Sequence, residues 1–198
     1  METIKGYRLK QRKGLNSWDK LLEKWGEVIE RYSEQIQEDA SYWYTELSSV
    51  GNLSASAWLV DWVAVTELQQ MKGVKYRPKW YGRADLYLFD GKNGFMVEAK
   101  QEMLSLTAYR NWEEIIAPVL DNALSDAKKT SGKDGLNAVG VAFFCVTIPA
   151  SKKEILKESI DKLIELLENG PYHAAAWCFP KQNRDLAYEG DIFPGTVM

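Results

Sequence analysis

Arg83-Ala84-Asp85-Leu86-Tyr87-Leu88-Phe89-Asp90-Gly91-Lys92-Asn93-Gly94-Phe95-Met96-Val97-Glu98-Ala99-Lys100 is the stretch that decides the fold. Ala84–Phe89 and Phe95–Lys100 are apolar segments of strand length, and the Asp-Gly-Lys-Asn-Gly run between them is hairpin punctuation. Residues two apart on a strand share a face, so Glu98 and Lys100 point the same way. With Gly91-Lys92 at the centre of a type II′ turn, glycine first, Asp85 falls opposite Glu98 and Arg83 opposite Lys100. With Asn93-Gly94 at the centre instead, the pairing slides by four residues. Parity is kept either way, and Asp85 still shares a face with Glu98 and Lys100.

Working upstream, Val74–Trp80 alternates Lys75, Arg77 and Lys79 with Val74, Tyr76, Pro78 and Trp80. That predicts a strand, at an edge or bulged because Pro78 removes a ladder donor. Ser17 to Val50 carries apolar residues at three- and four-residue steps (Trp18, Leu21, Leu22, Trp25, Ile29 onward), one helical stripe with Ser17 as N-cap. Gly51 and Asn52 are expected to break it, with a second helix from about Ser54 to Met71 that is apolar on more than one face.

Working downstream, a helical region is predicted from about Thr107 to Lys129, kinked or restarted at Pro118. Asn137–Ile148 is a nearly unbroken apolar run, the pattern of a central strand covered on both faces. Ser151-Lys152-Lys153-Glu154 reads as a capping box opening an amphipathic helix through Leu167. Gly170-Pro171 stops it, and Tyr172–Phe179 is a last strand, reached by a parallel right-handed crossover. The turn-rich tail from Lys181 to Met198 gives no periodicity from which to place it. The expectation is an α/β fold with a mixed central sheet flanked by helices. It is one domain over 1–198: an N-terminal helical extension (1–53), a core (54–148) and a C-terminal helix, strand and tail (149–198).

The chain's 198 residues suffice for one full core and are too few for two ordinary domains. Hydrophobic residues at 45% and charged residues at 27% exclude a disordered chain. No apolar run has the length of a membrane span, and the basic N-terminus lacks the apolar stretch of a secretory signal. Cys145 and Cys178 sit in apolar runs and read as free buried thiols in a reducing cytoplasm. The single histidine, His173, excludes multi-histidine zinc sites. Net charge is −3, yet residues 1–16 carry +4 and residues 72–83 carry +5. Two basic islands in an acidic chain point to an anionic partner.

Asp85 opposed to Glu98 at roughly 5 Å destabilises a sheet unless something offsets the repulsion. A hard divalent cation does so. Magnesium takes one or two carboxylates and leaves the rest of its shell to water and phosphate. Lys100 then places an ammonium beside the same cation, where it stabilises charge on a phosphate or orients water.

Asp85, twelve residues, then Glu98-Ala99-Lys100 closing an apolar strand resembles the PD-(D/E)xK nuclease superfamily, the restriction-endonuclease-like fold. The resemblance implies a core of helix, three-strand meander, helix and strand, over about Ser54 to Ile148. It implies metal-dependent phosphodiester hydrolysis, DNA ahead of RNA, with Mg2+ or Mn2+ on Asp85 and Glu98 and with Lys100 as the catalytic lysine. An added acid from the helix before the first strand is best matched by Glu67, less well by Glu46 or Asp61. The motif's proline is Ala84 here, and the glutamine-and-tyrosine motif of the RecB-like branch is not evident. Acid–any–lysine also occurs at Asp90 with Lys92 and at Asp126 with Lys128, but neither closes a paired strand.

Plainer readings stand beside these. Asp85 and Glu98 can be solvent-facing strand ends, ion-paired to Arg83 and Lys100. Lys75, Arg77, Lys79 and Arg83 can track a nucleic-acid backbone, or simply guard an edge strand against aggregation. The Trp-rich stripes (Trp18, Trp25, Trp43, Trp58, Trp62) read as core, with a homodimer interface as the alternative. The functional alternative to a nuclease is a catalytically inactive member of the same fold, acting in nucleic-acid binding or assembly.

Overall fold

The computed structural model describes residues 2–10, 14–73, 80–130 and 136–198. The first helix, α1, is Asp19–Gln35 and ends earlier than its stripe suggests. Glu38 takes φ 58°, and the Asp39 carboxylate accepts hydrogen bonds from the hydroxyls of Tyr32 and Tyr44 and from the Ala40 N–H. That local polar knot competes with continued helix. The single helix expected over Ser17–Val50 is therefore two, and α2 runs Glu46–Trp58. Gly51 and Asn52 lie inside α2. Gly51 faces open space, and the Asn52 amide donates to the Ser41 hydroxyl.

The helix expected to Met71 stops at Trp58, the chain reverses through Asp61 (φ 62°), and Val63–Lys72 is a strand, β2. Val63, Val65 and Thr66 are β-branched, stiff in a helix and suited to a pleat. Ala64 turns inward and Val63 and Val65 outward. The strand expected over Val74–Trp80 falls outside the described residues except for Trp80, which begins β3 (Trp80–Phe89). A turn centred on Gly91-Lys92, with Gly91 at φ 89°, leads into β4 (Gly94–Ser105). The ladder runs from Phe89↔Gly94 to Leu86↔Val97, the glycine-first register.

After a 3-10 turn, α3 spans Trp112–Thr130 with Pro118 inside it. It leads to β5 (Asn137–Pro149), parallel to β4. Ser151 caps nothing: residues 150–155 form a 3-10 turn with Lys152 out of helical conformation, and α4 begins at Leu156 and ends at Asn169. Then come β6 (Ala174–Phe179), β7 (Ala187–Tyr188) and β8 (Asp191–Val197). The strand at the start of the chain is β1 (Ile4–Leu9).

The result is a mixed α/β sheet in the order β1-β6-β8-β5-β4-β3-β2, with β7 paired to β8. Both β5 and β6 are antiparallel to β8, so they are parallel to each other, with the tail inserted between them. One face carries α1 and α2 over Leu86, Leu88, Val97, Ala99, Val141 and Phe143. The other carries α3 and α4 over Ala142, Phe144, Val146 and Trp177. Trp18, Trp25 and Trp62 are core, whereas Trp58 is exposed. Both cysteines are free and buried, and burial pushes the Cys145 thiol up to about 12. Among the described residues no helix is long and apolar enough to cross a membrane.

Candidate active site

Three acids stand in one row across β2, β3 and β4. The β2–β3 register sets Glu67 opposite Asp85, and the β3–β4 register sets Asp85 opposite Glu98. One ladder is interrupted at that row and the other ends there. The β2–β3 pairing passes from Thr66↔Leu86 to Leu68↔Ala84 without a Glu67–Asp85 pair, and the β3–β4 pairing stops at Leu86↔Val97. Like charges directly opposed are the physical reason to part there. Beyond the row β3 stays with β2 to Trp80↔Lys72, while β4 continues with β5 to Ser105↔Thr147. A wedge thus opens between β3 and β4, with Asp85 and Glu98 at its vertex.

Each acid then finds its own partner. Glu67, at φ 55°, pairs with Arg83 (Nε to Oε2, 2.8 Å) on the surface. Asp85 Oδ2 accepts the Ala99 N–H at 2.7 Å, so a carboxylate replaces the lost strand hydrogen bond between Glu98 and Lys100. Glu98 is 3% exposed, and its Oε1 accepts from Lys72 Nζ and from Thr130 Oγ1, both at 2.6 Å. Lys72 reaches it by lying over Gly82, where an added Cβ would sit 2.8 Å from Lys72 Cδ. Lys100 Nζ stands 3.4 Å from Asp126 Oδ2 of α3. The Lys129 hydrogen bond, helped by Lys100, holds the Asp126 carboxyl below its ordinary value against partial burial. Leu86, Leu88, Val97 and Ala99 face α1 and α2, whereas Glu98 and Lys100 project to the α3 side, where they meet Thr130 and Asp126.

The structure also brings Glu46 to this wedge. It occupies the first turn of α2, and its carboxylate accepts the Gln101 N–H and feels the charges of Lys100, Asp85 and Glu98. Burial raises its pKa, with Asp85 and Glu98 adding to the shift, and Lys100 and the Gln101 N–H oppose it. The Ser49 hydroxyl bonds Gln101 Oε1 at 2.7 Å, fixing α2 to β4. Glu46 ranked behind Glu67 in the sequence because α2 was expected to reach Met71. With α2 ending at Trp58, the acid on the helix before the first strand is Glu46, and Glu67 lies on that strand. Asp61 lies in the reversal between the two.

Lys75, Arg77 and Lys79 fall outside the described residues, in the segment joining β2 to β3. Arg83 is described, exposed and held by Glu67. Among the described residues no three acidic, histidine or cysteine side chains gather into a metal-binding group. Asp85 and Glu98 are the pair whose chemistry suits a hard cation, and two carboxylates fall within magnesium's usual protein complement. No family model matches the chain, and no curated protein or solved structure matches it either.

Proposed function

We propose that the chain is a metal-dependent nuclease acting on phosphodiester bonds, DNA ahead of RNA, in the cytoplasm. The observation that carries this reading is the wedge vertex. There Asp85 is hydrogen-bonded to the backbone between Glu98 and Lys100, and the two neighbouring strands part beyond it. The order α2-β2-β3-β4-α3-β5 supports it as the order of a restriction-endonuclease-like core. Asp85 and Glu98 supply the oxygens that would hold magnesium, or manganese in its place. A bound ion supplies Lewis acidity toward a phosphate oxygen and lowers the pKa of a water. The Lys100 ammonium, oriented by Asp126, supplies positive charge where a phosphate gains negative charge. Glu46 adds a carboxyl whose proton affinity burial has raised, the property of an acid–base group.

One observation favours the non-catalytic alternative: Lys72 already neutralises Glu98. Cleavage assays on single- and double-stranded DNA and RNA, with magnesium or manganese, separate the two. Lys100→Ala should abolish cleavage while leaving metal-dependent stabilisation, and Glu98→Gln should lose both. Lys75→Ala and Arg77→Ala should weaken binding and reduce its salt slope by about one unit each. A protein that cuts none of these substrates, and whose binding ignores Lys100→Ala, is the non-catalytic module.

A further inference from the structure

Glu98 is neutralised from two strands away. Lys72 ends β2 and Glu98 lies on β4, with β3 between them. The lysine stem passes over β3 at Gly82, where an added Cβ would lie 2.8, 3.1 and 3.2 Å from Lys72 Cδ, Cγ and Cε. A glycine inside a strand weakens it and often marks a close approach. Here what approaches is the stem of Lys72, and the Nζ at its end donates to Glu98 Oε1 at 2.6 Å.

The two donors to that oxygen are held differently. Thr130 Oγ1, also at 2.6 Å, sits on a short side chain at the end of α3, and its hydroxyl oxygen lies 3.2 Å from the Asp126 carbonyl oxygen. Lys72 ends a long flexible stem and keeps 15% side-chain exposure, against 4% for Glu98. Its ammonium can therefore leave without a shift of backbone, whereas Thr130 cannot. The charges at the vertex are also unequal. Asp85 is met by the Ala99 N–H, a donor without formal charge, so Lys72 brings one positive charge to two carboxylates. A divalent cation balances both. An ammonium and a divalent cation on one carboxylate repel each other.

We propose that Lys72 is the resident counter-cation of the acid pair, and that a divalent metal ion takes its place on Glu98. The Lys72–Glu98 pair is then the metal-free state of the site, and Gly82 is the notch through which the lysine withdraws. This rests on the reading of Asp85 and Glu98 as a cation site. It also turns the pair from a permanent neutralisation of Glu98 into a contact that the metal must break.

The test is amine acylation of the intact protein, read lysine by lysine by mass spectrometry, with magnesium alone as the probe and chelator as the reference. Saturating magnesium should speed acylation of Lys72 roughly tenfold, the gain for a group free about a tenth of the time. Lys157, 72% exposed on α4, should not change. Lys72→Gln removes the competing charge and should bind magnesium roughly tenfold more tightly in calorimetry, by the same population argument. Gly82→Ala should make Lys72 react fast even in chelator. Suppose magnesium binds, and binding is lost in Asp85→Asn, while Lys72 stays slow. The proposal is then overturned and the nuclease reading stands. Magnesium that neither binds nor releases Lys72 overturns it too, and leaves the lysine a fixed structural partner. Release of Lys72 in a protein that cuts no nucleic acid upholds the proposal and sinks the nuclease reading.

Discussion

The sheet is opened twice, by opposite means. Across β2, β3 and β4 a row of carboxylates, Glu67, Asp85 and Glu98, interrupts the β2–β3 ladder for one pair and ends the β3–β4 ladder, and every acid is satisfied locally: by Arg83, by the Ala99 N–H, by Lys72 and Thr130. Between β5 and β6 the row is Ala138, Gly140, Ala142 and Ala174, with no charge to repel anything, and the strands part where the pairing of β8 stops at Phe144 and Trp177. The first opening is held by side chains that a cation or phosphate can replace. The second is lined mostly by apolar side chains and half-buried backbone. Charge makes a gap that ligand charge can enter, and the uncharged gap has no paired carboxylates to hold a cation.

The largest effect should come from unpairing the acid row. Lys72→Met leaves Glu98 buried without its cation, and breaking a buried pair costs about 3–5 kcal/mol. The double variant Lys72→Met with Glu98→Gln should recover most of that in urea denaturation. Magnesium should also restore stability to Lys72→Met, by roughly 2.7 kcal/mol at one hundred times its dissociation constant, if Asp85 and Glu98 hold it. A single variant losing under 1 kcal/mol would mean that water reaches Glu98 freely. On the uncharged side, Gly140→Ala puts a Cβ 2.3 Å from the Leu124 backbone nitrogen, where α3 lies against β5. Backbone cannot step aside as a side chain can, so overpacking should cost about 1–3 kcal/mol. Gly82→Ala meets only the methylenes of Lys72. It should cost less, its main consequence being a displaced ammonium at Glu98.

The Asp85–Glu98 pair was legible in the sequence as a shared face, because parity holds with either turn centre; the turn at Gly91-Lys92 then sets the two directly opposite. What encloses the row was less so. An apolar run such as Trp58–Val65 fits a buried helix and a strand alike, and the reversal at Asp61 that decides between them is a backbone event, not a pattern. Moving that boundary moved the third acid from Glu67 to Glu46. The strand β8 was hidden for another reason. Pro194 and Gly195 read as turn punctuation. Yet a Cβ at Gly195 would sit 2.4 Å from the Cys178 carbonyl oxygen, and the β5–β8 register shifts beside it, between Val146 and Ile148. That glycine serves close strand approach, which only the assembled sheet reveals.

A smaller effect tests the wedge through its third carboxyl. Burial raises Glu46, so the folded state favours its protonated form. Its favourable contribution is full below the unfolded value near 4.5 and is lost as pH rises through the raised folded value. Glu46→Gln should therefore raise the Tm at pH 7, and the gain should shrink below pH 4.5. A gain that does not vary with pH would mean a hydrated Glu46 outside the wedge. If the wedge is catalytic, the same variant lowers cleavage while raising stability.

The smallest effect concerns the acid that left the row. Glu67 sits in the left-handed region, at φ 55°, inside a strand. That costs a non-glycine residue roughly 1–2 kcal/mol, and its exposed pair with Arg83 returns at most about 1 kcal/mol. Glu67→Ala keeps the strain and loses the pair, so it should destabilise by a few tenths of a kcal/mol, as exposed pairs do. Glu67→Gly loses the same pair but relieves the strain, at an entropic cost of about 0.5–1 kcal/mol. Glycine should therefore equal or exceed alanine in stability here, while at the regularly paired Thr66 alanine should exceed glycine. The inversion between adjacent positions is the readout, in thermal melts of the four variants. If alanine is the better residue at both, Glu67 is ordinary strand. Its carboxylate would then stand beside Asp85, and the acid row would be three charges deep at the vertex, where this structure keeps two.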